Sequence, residues 1–185
     1  MKKHIPVREL TLSALLAALT AVGAYIRIPT PWSAFTLQVL FVFLAGALLG
    51  PKYGALSQGV YVLLGLAGIP VFIGGGGPTY VLKPTFGFLL SYIPAAAAVG
   101  ALCRGTRPGR IILSCLAGLA VIYLIGLPYM ALILNVYMGQ SMSFWQIMMS
   151  GMVVFLPYDA VKIVLAAVLA RVLIPKLDRM RQPSA

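Results

Sequence analysis

The chain has 185 residues, 61% of them hydrophobic and 9% charged, with a net charge of +11 and a mean hydropathy of +1.00. A soluble domain carries about a quarter charged residues, so a water-exposed globule is excluded and the bilayer is the natural solvent. Nucleic acid is excluded as the target of the positive charge, because the cations punctuate the ends of apolar runs and form no stripe with interleaved aromatics.

A backbone in lipid must satisfy its own hydrogen bonds, as helices or as a closed barrel. The apolar runs here are long and lack a two-residue alternation, which predicts helices throughout, an all-α membrane protein. Segment one covers about residues 9–28, after the basic start at Lys2, Lys3 and Arg8. It outlasts the hydrophobic stretch of a signal peptide and more spans follow, so it reads as an uncleaved first span. The turn Pro29-Thr30-Pro31 ends it. Segments two (36–50) and three (53–67) are split by Gly50-Pro51-Lys52. Both are shorter than the ~20 residues of a full span, so they read as thin spans or as a hairpin that partly crosses. Either way the chain returns to the same side.

A long connection, residues 68–84, contains Gly74-Gly75-Gly76-Gly77-Pro78 and leads to segment four (85–102). A basic loop with Arg104, Arg107 and Arg110 precedes segment five (111–134). A polar loop, 135–143, precedes segment six (144–174), where Pro157 predicts a kink or break. With the N-terminus inside, Lys2, Lys3, Arg8, Lys52, Arg104, Arg107, Arg110, Arg171, Lys176, Arg179 and Arg181 fall on the inner side, and only Arg27 and Lys83 on the outer. Eleven against two is a strong positive-inside bias; it supports six crossings with both termini cytoplasmic, in a single integral membrane domain spanning 1–185.

Segment one carries small residues at helical spacing, Ala14 with Ala18 and Ala17 with Ala21, and segment two repeats the pattern at Gly46 and Gly50. Such stripes let helices approach closely in lipid, either within one chain or against another membrane protein. Of the three acidic residues, Glu9 sits at the inner edge and Asp178 in the tail; Asp159 alone is embedded in an apolar run, with Lys162 three residues on. That spacing puts both on one helix face. A charge at mid-bilayer costs about 2.5–3.5 kcal/mol on insertion scales, so such residues are rare and usually functional. An ion pair that only joins helices, a polar corner of a ligand pocket and an ion relay are the three readings. Lys162 suits a carboxylate and Asp159 suits amide-like N–H groups. Tyr158 offers an aromatic wall or an interfacial belt residue.

The glycine run lies on the outer side and is no phosphate-binding loop, since no Gly-Lys-Ser/Thr follows. It suits close approach to a ligand, a moving lid or a plain flexible loop. The stretch 33–38 brings Ser33, Thr36 and Gln38 to the outer mouth of segment two, where Ser33 or Thr36 is also a candidate helix cap. Arg27 and Lys83 draw in an anionic solute or sit at headgroup level. The sole histidine, His4, lies in the N-terminal tail, and Cys103 and Cys115 belong to no metal-like cluster. No enzyme pattern and no nucleotide-binding motif emerge, so the chain does not drive transport with ATP by itself.

The stretches Phe35-Thr-Leu-Gln-Val-Leu-Phe-Val-Phe-Leu-Ala-Gly-Ala-Leu-Leu-Gly-Pro-Lys-Tyr-Gly-Ala and Leu64-Gly-Leu-Ala-Gly-Ile-Pro-Val-Phe, the glycine run, Pro84-Thr-Phe-Gly-Phe and Pro157-Tyr-Asp-Ala-Val-Lys together resemble the BioY family. These are biotin-binding S components of energy-coupling factor (ECF) transporters. The likeness covers nearly the whole chain, with segments one and five matching only in character. It implies a six-helix bundle in a prokaryotic cell membrane, with a site near the outer face covered by loops. It implies biotin as the carried ligand, with no cofactor or metal. Many members work with a shared membrane scaffold and two cytoplasmic ATPases, and some without. The resemblance implies that Ala14, Ala17, Ala18 and Ala21 dock the scaffold and that Asp159 and Lys162 contact biotin. Gly75, Gly76, Gly77 and the Thr36–Gln38 stretch would flank the pocket, with Tyr80 and Lys83 beside them. Thr79 and Tyr80 stand where the pattern expects an amide near the glycine loop, and Lys83 is an additional cation. Biotin has an apolar bicycle, a ureido group that needs partners once desolvated and a carboxylate tail that needs a cation. Asp159 suits the ureido N–H, with Lys162 nearby; which end Asp159, Lys162 and Lys83 each meet stays open. An ion-coupled carrier working alone through Asp159, and a membrane enzyme or assembly factor, are the competing classes.

Overall fold

The computed structural model describes residues 7–29 and 34–181. Lys2, Lys3, His4 and the candidate cap Ser33 lie outside them. The helices are α1 (Val7–Tyr25), α2 (Gln38–Leu66), α3 (Phe86–Leu102), α4 (Pro108–Leu132), the short α5 (Phe144–Met148) and α6 (Leu156–Arg181). Among the described residues, four helical runs are long and apolar enough to cross a bilayer, and Phe86–Leu102 is a shorter apolar helix. Leucines and valines such as Leu113, Leu124, Val161, Val164 and Val168 are exposed on the outside of the bundle, as lipid-facing positions should be. The chain is a multi-pass membrane protein.

α2 is a hairpin of two limbs, 38–49 and 51–66, rather than one rod. Gly50 has φ 76° and ψ −177°, a combination open essentially to glycine alone, and Pro51 can start the second limb because it needs no N–H there. The reversal is visible in the contacts. Gln38 Nε2 donates to the Tyr61 hydroxyl at 2.5 Å, although 23 residues of continuous helix would span roughly 34 Å. Near the turn, a Cβ on Gly54 would stand 2.9 Å from the Gly46 backbone. Gly46 itself packs on the Ala96 carbonyl and Val99 of α3, so the small residues of this limb serve contacts within the chain.

The two limbs pack against α1, α3 and α6, and α3 against α4. Successive connections then fall at opposite ends. A cleft at one end is lined by Glu9, Gly50, Tyr53, Cys103, Gly105 and Asp178, which gathers the start of α1, the α2 turn, the end of α3 and the tail of α6. Arg8 of α1 latches this end by donating to the Leu177 carbonyl at 3.3 Å and to the Met180 carbonyl.

The opposite end is closed by loops. Two three-residue strands, β1 (Arg27–Pro29) and β2 (Ala34–Thr36), pair antiparallel with Arg27 opposite Thr36; apolar periodicity does not reveal strands so short. Residues 67–85 form a cover containing a 3-10 turn, Pro78–Leu82. The predicted cap at Thr36 is not formed: Leu37 is the cap residue and no side chain caps the helix. Segment six is interrupted before Pro157 rather than kinked at it. α5 runs into a π turn, Met149–Val153, and α6 starts afresh at Leu156 with Pro157 in its first turn.

A buried polar cavity under the loops

α6 positions the charged pair. Counting back from Lys162, residues 159 and 155 follow at one-turn spacing, so Phe155, Asp159 and Lys162 share the face that looks into the bundle. Asp159 and Lys162 are 4% and 6% exposed, and Lys162 Nζ donates to Asp159 Oδ1 at 2.8 Å. The other carboxylate oxygen, Oδ2, accepts from the Tyr123 hydroxyl of α4. Asp159 also stands in the first turn of α6, where the helix dipole favours a negative charge. Two helices therefore hold one carboxylate from both sides, and a buried ion pair is tolerable only with such extra hydrogen bonds.

This triad faces a cavity whose empty space, counting that open at its mouth, is about 660 Å³. Thr36, Gln38 and Val39 bring one wall, and Phe88, Leu89, Tyr92, Ile122, Met130, Gly151 and Phe155 the apolar walls. Ile73, Tyr80 and Thr85 come from the cover. The Thr36 hydroxyl donates to Gln38 Oε1 at 3.0 Å, and the Gln38 amide donates to Tyr61. Tyr61 in turn donates to the Val71 carbonyl at 3.2 Å, so the polar wall is tied into the cover. Its chemistry is that of a pocket with an apolar body and one end able to accept and donate hydrogen bonds.

The cover is held by rings packed edge-on and tilted. Phe72, 1% exposed, lies edge-on to Tyr61 with centroids 5.4 Å apart and 4.7 Å from Tyr80. Gly65 makes room: any Cβ there would run into the Phe72 ring. Tyr80 donates to the Ile73 carbonyl at 2.8 Å. Burial pushes its hydroxyl pKa up, and Thr85 and Arg27 oppose that shift.

Of the residues singled out in the sequence, Asp159, Lys162, Tyr80, Thr36 and Gln38 line the cavity; Tyr158, Gly75, Gly76, Gly77 and Lys83 do not. Tyr158 is one residue round the helix from Asp159, so it points outward, 45% exposed, and stacks on Phe35 with centroids 4.0 Å apart; Phe155 takes the wall position instead. The glycines shape the cover from within. Gly75 bridges Phe72, and the Gly77 N–H donates to the Gly65 carbonyl at 2.7 Å. Lys83 is exposed, with Nζ 4.3 Å from the centre of the Tyr80 ring. On α1, Ala14 and Ala18 are exposed, Ala17 is buried and Ala21 half-buried. The sequence reading missed Tyr123, which lies 36 residues from Asp159 and looks locally like any tyrosine in an apolar helix.

The BioY family model matches residues 1–179. The chain belongs to the BioY family. A probable biotin transporter BioY of Lysinibacillus sphaericus is 43% identical over 173 residues, covering 92% of this chain and 88% of the relative. The biotin transporter BioY of Thermotoga maritima is 38% identical over 166 residues, covering 89% and 94%. The crystal structure of an S-component for biotin from an ECF-type ABC transporter superposes with a TM-score of 0.80 at 26% identity, over 100% of this chain and 96% of that one. FolT bound with folic acid shares the fold, with a TM-score of 0.60 at 19% identity over 90% and 91%.

Proposed function

We propose that this BioY chain binds biotin in the cavity beneath the loops and delivers it inward as the S component of an ECF-type transporter. It is a transporter component, not an enzyme. The observation that carries the site assignment is the triad of Asp159, Lys162 and Tyr123: a charged pair dehydrated inside a bundle, braced from a second helix, and facing an otherwise apolar pocket. Asp159 accepts the ureido N–H groups, Lys162 orients that carboxylate and donates to the ureido carbonyl, and Phe88, Tyr92 and Phe155 enclose the bicycle. Thr36, Gln38 and Tyr80 close the pocket from the mouth.

The whole chain acts as one domain of six spans, counting the two limbs of α2, with both ends cytoplasmic; the basic end of the bundle supports this sidedness. Its partners are a transmembrane scaffold and two ATPase subunits. The exposed pair Ala14 and Ala18 supplies the close-approach face for the scaffold, while Ala17 belongs to the chain's own packing. An ion relay through Asp159 is the weaker reading, because the other two acids, Glu9 and Asp178, line the cleft at the opposite end and offer it no relay partner. Uptake of labelled biotin in cells with and without the scaffold and ATPases tests the assignment. Uptake that depends on them is expected; uptake that persists without them and collapses with an uncoupler contradicts it.

A further inference from the structure

The cavity holds one cation and one anion, already paired. Lys162 Nζ is 2.8 Å from Asp159 Oδ1 and both side chains are buried. A ligand carboxylate brought to Lys162 would set two anions against one cation in a dehydrated site, where like charges oppose each other strongly. The anionic end of the ligand is better served where water remains.

The mouth offers such a place. Lys83 is exposed, its Nζ 4.3 Å from the ring centre of Tyr80, which lines the cavity. Arg27 is exposed too and is paired across the strands with Thr36, another lining residue. Neither cation has an acidic neighbour. The chain's three acids are Asp159, held by Lys162, and Glu9 and Asp178, which line the cleft at the opposite end. The mouth is therefore a region of uncompensated positive charge beside a neutral pocket.

Resting on the biotin reading above, we infer that the ligand sits with its ureido end inward at Asp159 and its carboxylate at the mouth, where Lys83, with Arg27 beside it, selects for the free acid. Lys83 is then a specificity residue that leaves the bicycle's contacts untouched. The arrangement also accounts for two outer cations in a chain that, apart from Lys162 in the cavity, confines its positive charge to the other end.

The test is calorimetric titration of the purified protein, in uncharged detergent at low ionic strength, with biotin and with biotin amide, whose tail is neutral. The expected preference for biotin is roughly three- to fivefold, the scale of a solvent-screened ion pair, and it shrinks with added salt. Lys83→Gln is expected to erase most of that preference while leaving the affinity for the amide unchanged, and Lys83→Arg to retain it. The surface position of Lys83 leaves folding unaffected. A preference that survives intact in Lys83→Gln combined with Arg27→Gln overturns the orientation while biotin binding stands. Binding of neither compound by the unaltered protein removes the biotin reading itself, and the orientation with it.

Discussion

At the residue scale, the Asp159 carboxylate is held on both sides: a lysine on its own helix and a tyrosine from α4 fix its two oxygens. Tyr123→Phe keeps the ring and deletes the hydroxyl. Hydrogen bonds to charged groups are worth about 1.5–3 kcal/mol, so biotin affinity measured by titration should fall by that order. Tyr123 acts through Asp159, so the same change made on top of Asp159→Asn should cost almost nothing more; additive losses would separate the two residues. The pair itself was legible in the sequence because charge inside an apolar run is expensive. Tyr123 was not, because nothing local distinguishes a tyrosine that braces a carboxylate from one that fills a core. Tyr158, which stands outside the cavity, is a different case. Helical spacing from Asp159 already points to Phe155 as its neighbour on the inner face.

At the scale of elements, α2 depends on a backbone conformation that side chains resist. Gly50→Ala should lower stability by about 1–3 kcal/mol, read as a shift in detergent thermal unfolding; an unchanged midpoint would mean the turn tolerates a Cβ. Gly65→Ala acts at the other end of the same hairpin. It pushes Phe72 out of the cover and should speed biotin release while leaving the helices folded, as seen in dissociation kinetics. α1 presents two faces. Ala14→Leu or Ala18→Leu should leave biotin binding intact and block uptake, whereas Ala17→Leu, on the buried face, should destabilise the bundle. Normal uptake in both exposed-face variants would remove the docking role. The apolar runs made the first five segments legible to within a few residues, whereas segment six, read as one run ending at 174, is split into α5 and α6 and continues to Arg181. The two strands and the π turns gave no such signal, because elements of three to five residues are set by tertiary contacts and not by periodicity.

At the scale of the whole molecule, charge and shape divide the labour. One end gathers the connections rich in arginine and lysine, and the other gathers the cover, the strands and the cavity mouth. This polarity could be read from the count of eleven cations against two without any coordinates; the closure of a pocket between α4, α6 and the cover could not, since it depends on contacts between distant segments. The central claim is that biotin occupies that pocket through the α6 charges, and calorimetric titration of the purified protein beside a folded Lys162→Ala variant tests it most directly. The account predicts saturable biotin binding that weakens by roughly 2–5 kcal/mol when the lysine is removed. Equal affinity in the two proteins would contradict it.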